Sequence, residues 1–89
     1  MATIHKKILP KWFNLIKKGK KNVEFRLADF RLKEGDVLIL EEWDGKRKKY
    51  TGRVLKTRVK KLIKKNPFDF YSAKDIKKHG VYIIGFEVL

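Results

Sequence analysis

The chain has 89 residues, of which 24 are Lys or Arg and 10 are Asp or Glu, so its formal net charge is +14. A chain of this length buries only about 60–65% of its unfolded surface, which predicts one domain over residues 1–89. The hydrophobic content of 43% excludes a disordered chain. The absence of cysteine excludes disulfide frameworks and thiolate metal sites, and it favours a cytoplasmic protein.

The positive charge is concentrated in two stretches. Residues 1–23 hold seven basic residues and no acidic one, and residues 46–65 hold eleven basic residues and no acidic one. Self-repulsion of this size opposes compaction, so we expect a polyanionic partner that relieves it. RNA is the preferred partner, with DNA left open. No membrane partner is expected, because no helix is long and amphipathic enough to anchor the chain. The sequence does not indicate the oligomeric state.

The first half of the chain predicts a strand, a helix and a second strand. Thr3 to Leu9 alternates imperfectly and is predicted as a strand. Pro10 to Gly19 carries an apolar stripe at helical spacing between a residue that suits the first turn and one that ends a helix. From Asn22 to Leu27 apolar and polar residues alternate, which predicts a half-buried strand. Trp12 on the helix and Phe25 on this strand are both expected in the core.

The second half predicts three further strands and a short helix. Val37 to Leu40 is apolar on both faces, as in a central strand, and Asp44-Gly45 predicts a hairpin connection. Tyr50 to Lys65 predicts one long strand that bends or bulges at Gly52. The order β-α-β-β-β-α-β belongs to the α+β class. It is completed by a short helix from Ser72 to His79 and a central strand from Val81 to Val88.

The segment after the first helix can bring three kinds of charged group into one cleft. Lys18, Lys20 and Lys21 lie where the helix gives way to the strand, and Glu24 and Arg26 leave one face of that strand. Cations bind phosphate, and a carboxylate accepts hydrogen bonds from the amine or ring nitrogen of a base. The segment is therefore a candidate nucleotide site. The alternative is that Glu24 and Arg26 form only a surface ion pair, which would contribute little.

The basic tract of the long strand is a second candidate surface. Lys56, Arg58 and Lys60 alternate and are predicted to share one face, with Arg53 and Lys61 on the other. Cations at the ~6.7 Å same-face repeat of a strand suit a phosphate backbone, although they carry no base code. The alternative is a solvated face that keeps the protein soluble.

Aromatic residues near the predicted turns are candidates for stacking on unpaired bases. These residues are Trp43, Tyr50, Phe68, Phe70 and Tyr71. The alternative for each of them is partial burial in the fold. Metal and cofactor chemistry is not predicted. His5 and His79 are far apart in sequence, and neither a metal-ligand motif nor a Gly-rich phosphate loop is present.

Several blocks of the sequence, taken in order, resemble the ASCH domain, a family of small β-barrels of the PUA-like superfold. The likeness covers nearly the whole chain and is closest to the compact branch of archaea, bacteria and phages. Its blocks are His5 to Phe13, Lys18 to Lys21 with Val23 to Arg26, Phe30 to Leu40, Tyr50 to Arg53, and Gly80 to Gly85.

This resemblance implies a partly open barrel of five or six strands, a cleft at the Lys-Gly-Lys-Lys turn, and RNA binding. One branch of the family hydrolyses N4-acetylcytidine with a lysine of this turn, a threonine three residues later and a glutamate elsewhere. Lys21 matches the lysine, but Glu24 stands in place of that threonine and Asn22 in place of another, so the activity is not carried over. Ribonuclease activity is also associated with relatives.

Three functional hypotheses therefore stay open. The first is a non-catalytic RNA-binding module. The second is an enzyme on modified nucleosides or RNA, with Lys21 and Glu24 as its catalytic pair. The third is an adaptor for an acidic protein.

Overall fold

A computed structural model describes residues 1–65 and 80–89. The predicted order of the strands and of the first helix is confirmed, while the predicted helix from Ser72 to His79 lies outside the described residues. No helix in the described part of the chain is long and apolar enough to cross a membrane. The elements are β1 (Thr3–Ile8), α1 (Pro10–Lys17), β2 (Val23–Leu27), β3 (Val37–Asp44), β4 (Lys49–Lys65) and β5 (Val81–Val88).

The five strands form one mixed sheet in the order β1-β3-β4-β5-β2. β1 is parallel to β3, and every other pair of neighbours is antiparallel. The sheet curls into a half-barrel, so the predicted α+β class and partly open barrel are confirmed. This order leaves β1 and β2 as the two edge strands, and β5 is an interior strand as predicted.

Helix α1 covers the concave side of the half-barrel. Phe13 and Ile16 are the two buried residues of the helix, and the exposed fractions of Leu38, Leu40 and Ile84 on the sheet are all 0%. These side chains belong to one hydrophobic core. The apolar stripe of the helix therefore faces the centre of the sheet, as its spacing predicts.

Two bulges interrupt β4. The first lies opposite Glu42, where the pairing of Glu41 with Val54 is followed by that of Trp43 with Tyr50. Gly52 adopts φ +92° within it, so the predicted bulge at this glycine is confirmed.

The second bulge changes which residues share a face. Val59 pairs with Phe86, and Lys61 then pairs with Gly85, so Lys60 is the extra residue. The shift places Lys61 on the outer side of the sheet with Arg58, because each of them is paired with a residue of β5 that points away from the core. The prediction that Lys61 lies on the opposite face is therefore wrong.

The orientation of β2 also differs from the prediction. Its apolar residues Val23 and Phe25 are 39% and 66% exposed, whereas Glu24 between them is only 8% exposed. Trp12 of α1 is 39% exposed, so the core placements of Trp12 and Phe25 are both wrong. β2 is an edge strand at the open side of the half-barrel, and its polar face is the one turned inward.

Candidate nucleic-acid interface

A cleft of about 230 Å³ lies between the two edge strands at the open side of the half-barrel. The guanidinium of Arg26 on β2 bridges the opening, because its Nη2 donates a hydrogen bond to the carbonyl oxygen of Lys7 on β1 at 2.5 Å. The volume is below the roughly 300 Å³ at which pockets for drug-sized ligands begin, so the cleft suits a group of about the size of one base. The lining residues are Lys7, Ile8, Leu9, Trp12, Glu24, Phe25 and Arg26.

Glu24 and Arg26 form the polar part of the cleft. The Nε and Nη2 atoms of Arg26 donate to Oε2 of Glu24 at 3.2 and 2.9 Å. Within the described residues, Nη1 of Arg26 takes part in no hydrogen bond, and Oε1 of Glu24 is contacted by the ammonium of Lys21. The cleft therefore offers a guanidinium donor and a carboxylate acceptor, the two kinds of group that recognise the hydrogen-bonding edge of a nucleobase.

Lys21 joins this pair. Its Nζ lies 3.5 Å from Oε1 of Glu24 and donates to the carbonyl oxygen of Val23 at 2.6 Å. The same Nζ lies 5.2 Å from the centre of the Trp12 ring. The structure thus brings Lys21, Glu24 and Arg26 together, and it adds an indole ring to them.

The turn between α1 and β2 has a defined geometry. The backbone N–H of Gly19 donates to the carbonyl of Ile16, and that of Lys20 donates to the carbonyl of Leu15. With Gly19 at φ +77°, these two bonds form a Schellman motif, which fixes the direction in which the chain leaves the helix. Lys18 and Lys20 are exposed in this turn.

Two further cations, which the sequence did not single out, lie on the elements that form the cleft. Lys11 is exposed, with its Nζ 5.0 Å from the Trp12 ring centre, and Lys7 contributes to the lining. Together with Lys18 and Lys20, which are exposed in the turn that leads into β2, they form what we call the basic rim. Lys7, Lys11 and Trp12 were missed because nothing in a single sequence shows that the end of β1 and the start of α1 face β2.

The basic tract of β4 does not form one continuous row of free cations. Arg53 is bound to Glu42, and Nη1 of Arg58 donates to the carbonyl of Gly35 at 2.9 Å and contacts Sδ of Met1. The side chain of Lys60 lies in the bulge, 3.8 Å from Glu87. Lys56 is exposed on the outer face.

Glu42 is a buried carboxylate at the centre of a polar cluster whose other members are exposed. It is 3% exposed, and Arg53 donates to its two carboxylate oxygens at 2.8 and 2.6 Å while Thr51 donates at 2.6 Å. Arg53 also donates to Asn14 of α1 and lies 4.5 Å from the Phe13 ring centre. The hydrogen bonds from Arg53 hold the pKa of Glu42 below its ordinary value, against burial, which acts in the opposite direction. The cluster connects the helix to the first bulge.

The described acidic residues are mostly engaged within the fold. Asp36 accepts hydrogen bonds from the backbone N–H groups of Ala2 and Lys33, of which the first is the main cause of its lowered pKa. The pKa of Asp44 is lowered by the N–H groups of Arg47 and Lys46 in the hairpin turn. Glu24, Glu34, Glu41, Glu42 and Glu87 also have partners among residues 1–65 and 80–89. Of the described acids, Glu24, Asp36 and Glu42 are buried, whereas Asp29, Glu34 and Glu87 are exposed.

Two other predicted groups can be placed. The rings of Trp43 and Tyr50 contact each other at the hairpin, whereas Phe68, Phe70, Tyr71 and His79 lie outside the described residues. Nδ1 of His5 lies 3.5 Å from Glu41. Residues 1–65 and 80–89 contain no group of three or more His, Cys, Asp or Glu side chains that could hold a metal ion.

These features define a small α+β half-barrel protein with a polar cleft between its edge strands. A protein-family model described as a domain of unknown function, DUF3850, matches residues 4–76. The chain belongs to the DUF3850 family.

Similar proteins occur in a phage and among solved structures. An uncharacterized 12.9 kDa protein in the GpA 3' region of Escherichia phage P2 is 43% identical over 60 residues, which cover 66% of this chain and 53% of the phage protein. The crystal structure of hypothetical protein PH0355 has a TM-score of 0.74 at 25% identity over 100% of both chains. The solution NMR structure of PF0455 from Pyrococcus furiosus has a TM-score of 0.58 at 26% identity, over 100% of this chain and 98% of that one.

Proposed function

We propose that this protein is an RNA-binding module that holds one unpaired nucleotide in the cleft and the adjoining phosphates on the basic rim. The observation that carries the proposal is the placement of a nearly buried carboxylate, Glu24, beside Arg26 in a cleft walled by Trp12. A base can stack on the indole and exchange hydrogen bonds with the guanidinium of Arg26 and the carboxylate of Glu24.

The charge distribution supports a phosphate-bearing ligand. The basic rim is formed by Lys7, Lys11, Lys18 and Lys20, none of which has an ion-pair partner within the described residues. Glu24, which lines the cleft, is bound by Arg26. A polyanion that contacts the rim would relieve the self-repulsion of the +14 charge.

The resemblance to the ASCH domain supports RNA as the polyanion, because RNA binding is the general expectation for that family. The DUF3850 description assigns no ligand. Unpaired RNA also suits the cleft physically, since its bases can turn out of a stack and into a pocket.

Catalysis is the second candidate function, and the contact of Lys21 with Glu24 at 3.5 Å favours it. A lysine beside a carboxylate can exchange a proton with a substrate. Incubating the protein with N4-acetylcytidine and with labelled RNA, wild type against Lys21→Ala, tests this candidate. Product formed by the wild type alone would establish an enzyme, and no product from either would leave binding as the function.

The dependence of RNA affinity on salt tests the proposed function. With about four phosphate contacts on a single strand, log K is expected to fall with log salt at a slope of about −2.8, which is about a 50-fold loss between about 50 and about 200 mM. Fluorescence anisotropy with labelled single-stranded RNA, double-stranded RNA and single-stranded DNA measures the slope and the preference. An affinity for single-stranded RNA that hardly changes with salt would contradict the proposal.

Two lysine variants locate the contacts. Lys20→Ala removes a cation of the basic rim and is expected to reduce the slope by about 0.7. Lys33→Ala removes the same charge at the other end of β1, where Lys33 lines a separate concavity with Ala2, and it should leave the slope unchanged. Equal effects of the two substitutions would show that the cleft end is not the binding surface.

A further inference from the structure

The hairpin between β3 and β4 carries a pair of aromatic rings that the cleft does not use. Trp43 and Tyr50 are partners in the register, and their ring centres lie 5.0 Å apart at an interplanar angle of 78°. Tyr50 is 49% exposed, and Trp43 is half-buried. One ring therefore supports the other, and the outer ring presents about half of its surface to solvent.

Cations surround this ring pair. The Nζ of Lys7 lies 3.9 Å from the Trp43 ring centre and 5.8 Å from that of Tyr50. The turn that joins the strands adds four consecutive basic residues, from Lys46 to Lys49. Its shape is fixed by Asp44, which accepts hydrogen bonds from two backbone N–H groups of the turn. Exposed aromatic rings among cations are the composition of surfaces that bind single-stranded nucleic acid.

Lys7 makes this surface continuous with the cleft. Its carbonyl oxygen accepts the hydrogen bond from Arg26 that bridges the edge strands, and its ammonium lies over Trp43. β1, β3 and β4 are consecutive neighbours in the sheet, and Lys7 pairs with Glu41 while Tyr50 pairs with Trp43, so the backbones of Lys7 and Tyr50 are about 12 Å apart at ~4.8 Å per strand and ~3.3 Å per residue. Nucleotides adjoining one held in the cleft can reach the rings.

We propose that Trp43 and Tyr50 form a second RNA subsite, at which an unpaired base next to the nucleotide in the cleft stacks on Tyr50. The cations of the turn contact the phosphate of that nucleotide. This inference rests on the proposed function and extends it, since it assigns a second site and requires a ligand with at least two unpaired bases.

The Tyr50→Leu variant tests the subsite, because leucine keeps an apolar side chain but has no ring face. Stacking on an aromatic side chain contributes about 1–3 kcal/mol per base, so affinity for a single-stranded oligouridine is expected to fall about 5- to 150-fold. The slope of log K against log salt should stay unchanged, because no phosphate contact is removed. Ile63→Ala, at the far end of β4, is the matched control for loss of an exposed apolar side chain and should bind as the wild type does.

Fluorescence gives an independent measure of stacking. Trp12 and Trp43 are the two tryptophans of the chain, so a Trp12→Phe variant reports on Trp43 alone. Binding of oligouridine is expected to change the emission of Trp43, whereas an oligomer of the same length without bases should leave that emission unchanged.

The outcomes separate this inference from the proposed function. Salt-dependent RNA binding by the wild type, together with an unchanged affinity of Tyr50→Leu, would overturn the second subsite and leave the cleft as the binding site. Absence of RNA binding by the wild type would overturn both. A loss for Tyr50→Leu that is equal for intact and base-free oligomers would overturn stacking.

Discussion

Replacing Glu24 by glutamine is expected to weaken binding of single-stranded RNA by about 5- to 150-fold, because a well-placed polar contact to a base contributes about 1–3 kcal/mol. The substitution turns a carboxylate, whose two oxygens only accept hydrogen bonds, into an amide, whose NH2 group donates them. It also raises the formal net charge from +14 to +15. Attraction to phosphate alone would therefore predict tighter binding, opposite to the effect expected from base recognition.

Glu87→Gln is the matched control for this substitution. Glu87 is an exposed acid on β5 near Lys60, and its replacement changes the net charge by the same amount. We expect Glu87→Gln to bind RNA as tightly as the wild type or slightly more so. Anisotropy titrations at one salt concentration compare the three proteins, after thermal melting shows that each is folded. Equal or higher affinity of Glu24→Gln would exclude a base contact by this carboxylate.

The second large effect concerns stability. Glu42→Gln is expected to lower the free energy of unfolding by about 1–2 kcal/mol, because it weakens charge-assisted hydrogen bonds to a buried carboxylate, while the exposed guanidinium of Arg53 can be solvated by water. Glu42 is 3% exposed and accepts three hydrogen bonds from Arg53 and Thr51. Urea denaturation followed by circular dichroism measures the change.

A double variant shows whether an unpaired charge contributes to this loss. Glu42→Leu combined with Arg53→Leu removes both charges and replaces them with apolar side chains. Its stability is expected to exceed that of Glu42→Leu alone, since replacing both members of an ion pair leaves no charge without its partner. A double variant no more stable than Glu42→Leu would show that the cluster stabilises the fold by another route.

The same carboxylate predicts how stability depends on pH. The pKa of Glu42 is lower in the folded state than its ordinary value, mainly through hydrogen bonds from Arg53. Its contribution is therefore complete above the ordinary glutamate pKa of about 4.3 and is lost as the pH falls through the lower folded value. Urea midpoints of the wild type should fall across this acidic range more steeply than those of Glu42→Gln. Parallel pH profiles would contradict the assignment.

The sequence predicted the elements because their signals are local. Pro10 and Gly19 bound the helix, and Gly52 marks the bulge because its φ of +92° is one that side-chain-bearing residues rarely adopt. The convergence of Glu24 with Arg26 followed from the strand period of two, which puts alternate residues on one face.

Other features depended on long-range packing. The alternation in β2 defines two faces of the strand but does not show which face is buried. In the structure the face with Glu24 is the buried one, because β2 borders the cleft. The extra residue Lys60 reversed the expected face of Lys61. The hydrogen bonds between Arg53 and Glu42 join residues that are 11 positions apart, across a bulge. Trp12 faces the cleft only because β1 and β2 are the edge strands of one sheet.

Amide chemical-shift mapping during titration with a short single-stranded oligouridine tests the central claim most directly, because it shows where RNA contacts the folded chain. The account predicts that the largest shifts lie in residues 7–12 and 18–26, which form the cleft and its basic rim. Shifts concentrated in residues 31–36, at the opposite end of β1, or no shifts at an oligouridine concentration that saturates binding, would contradict it.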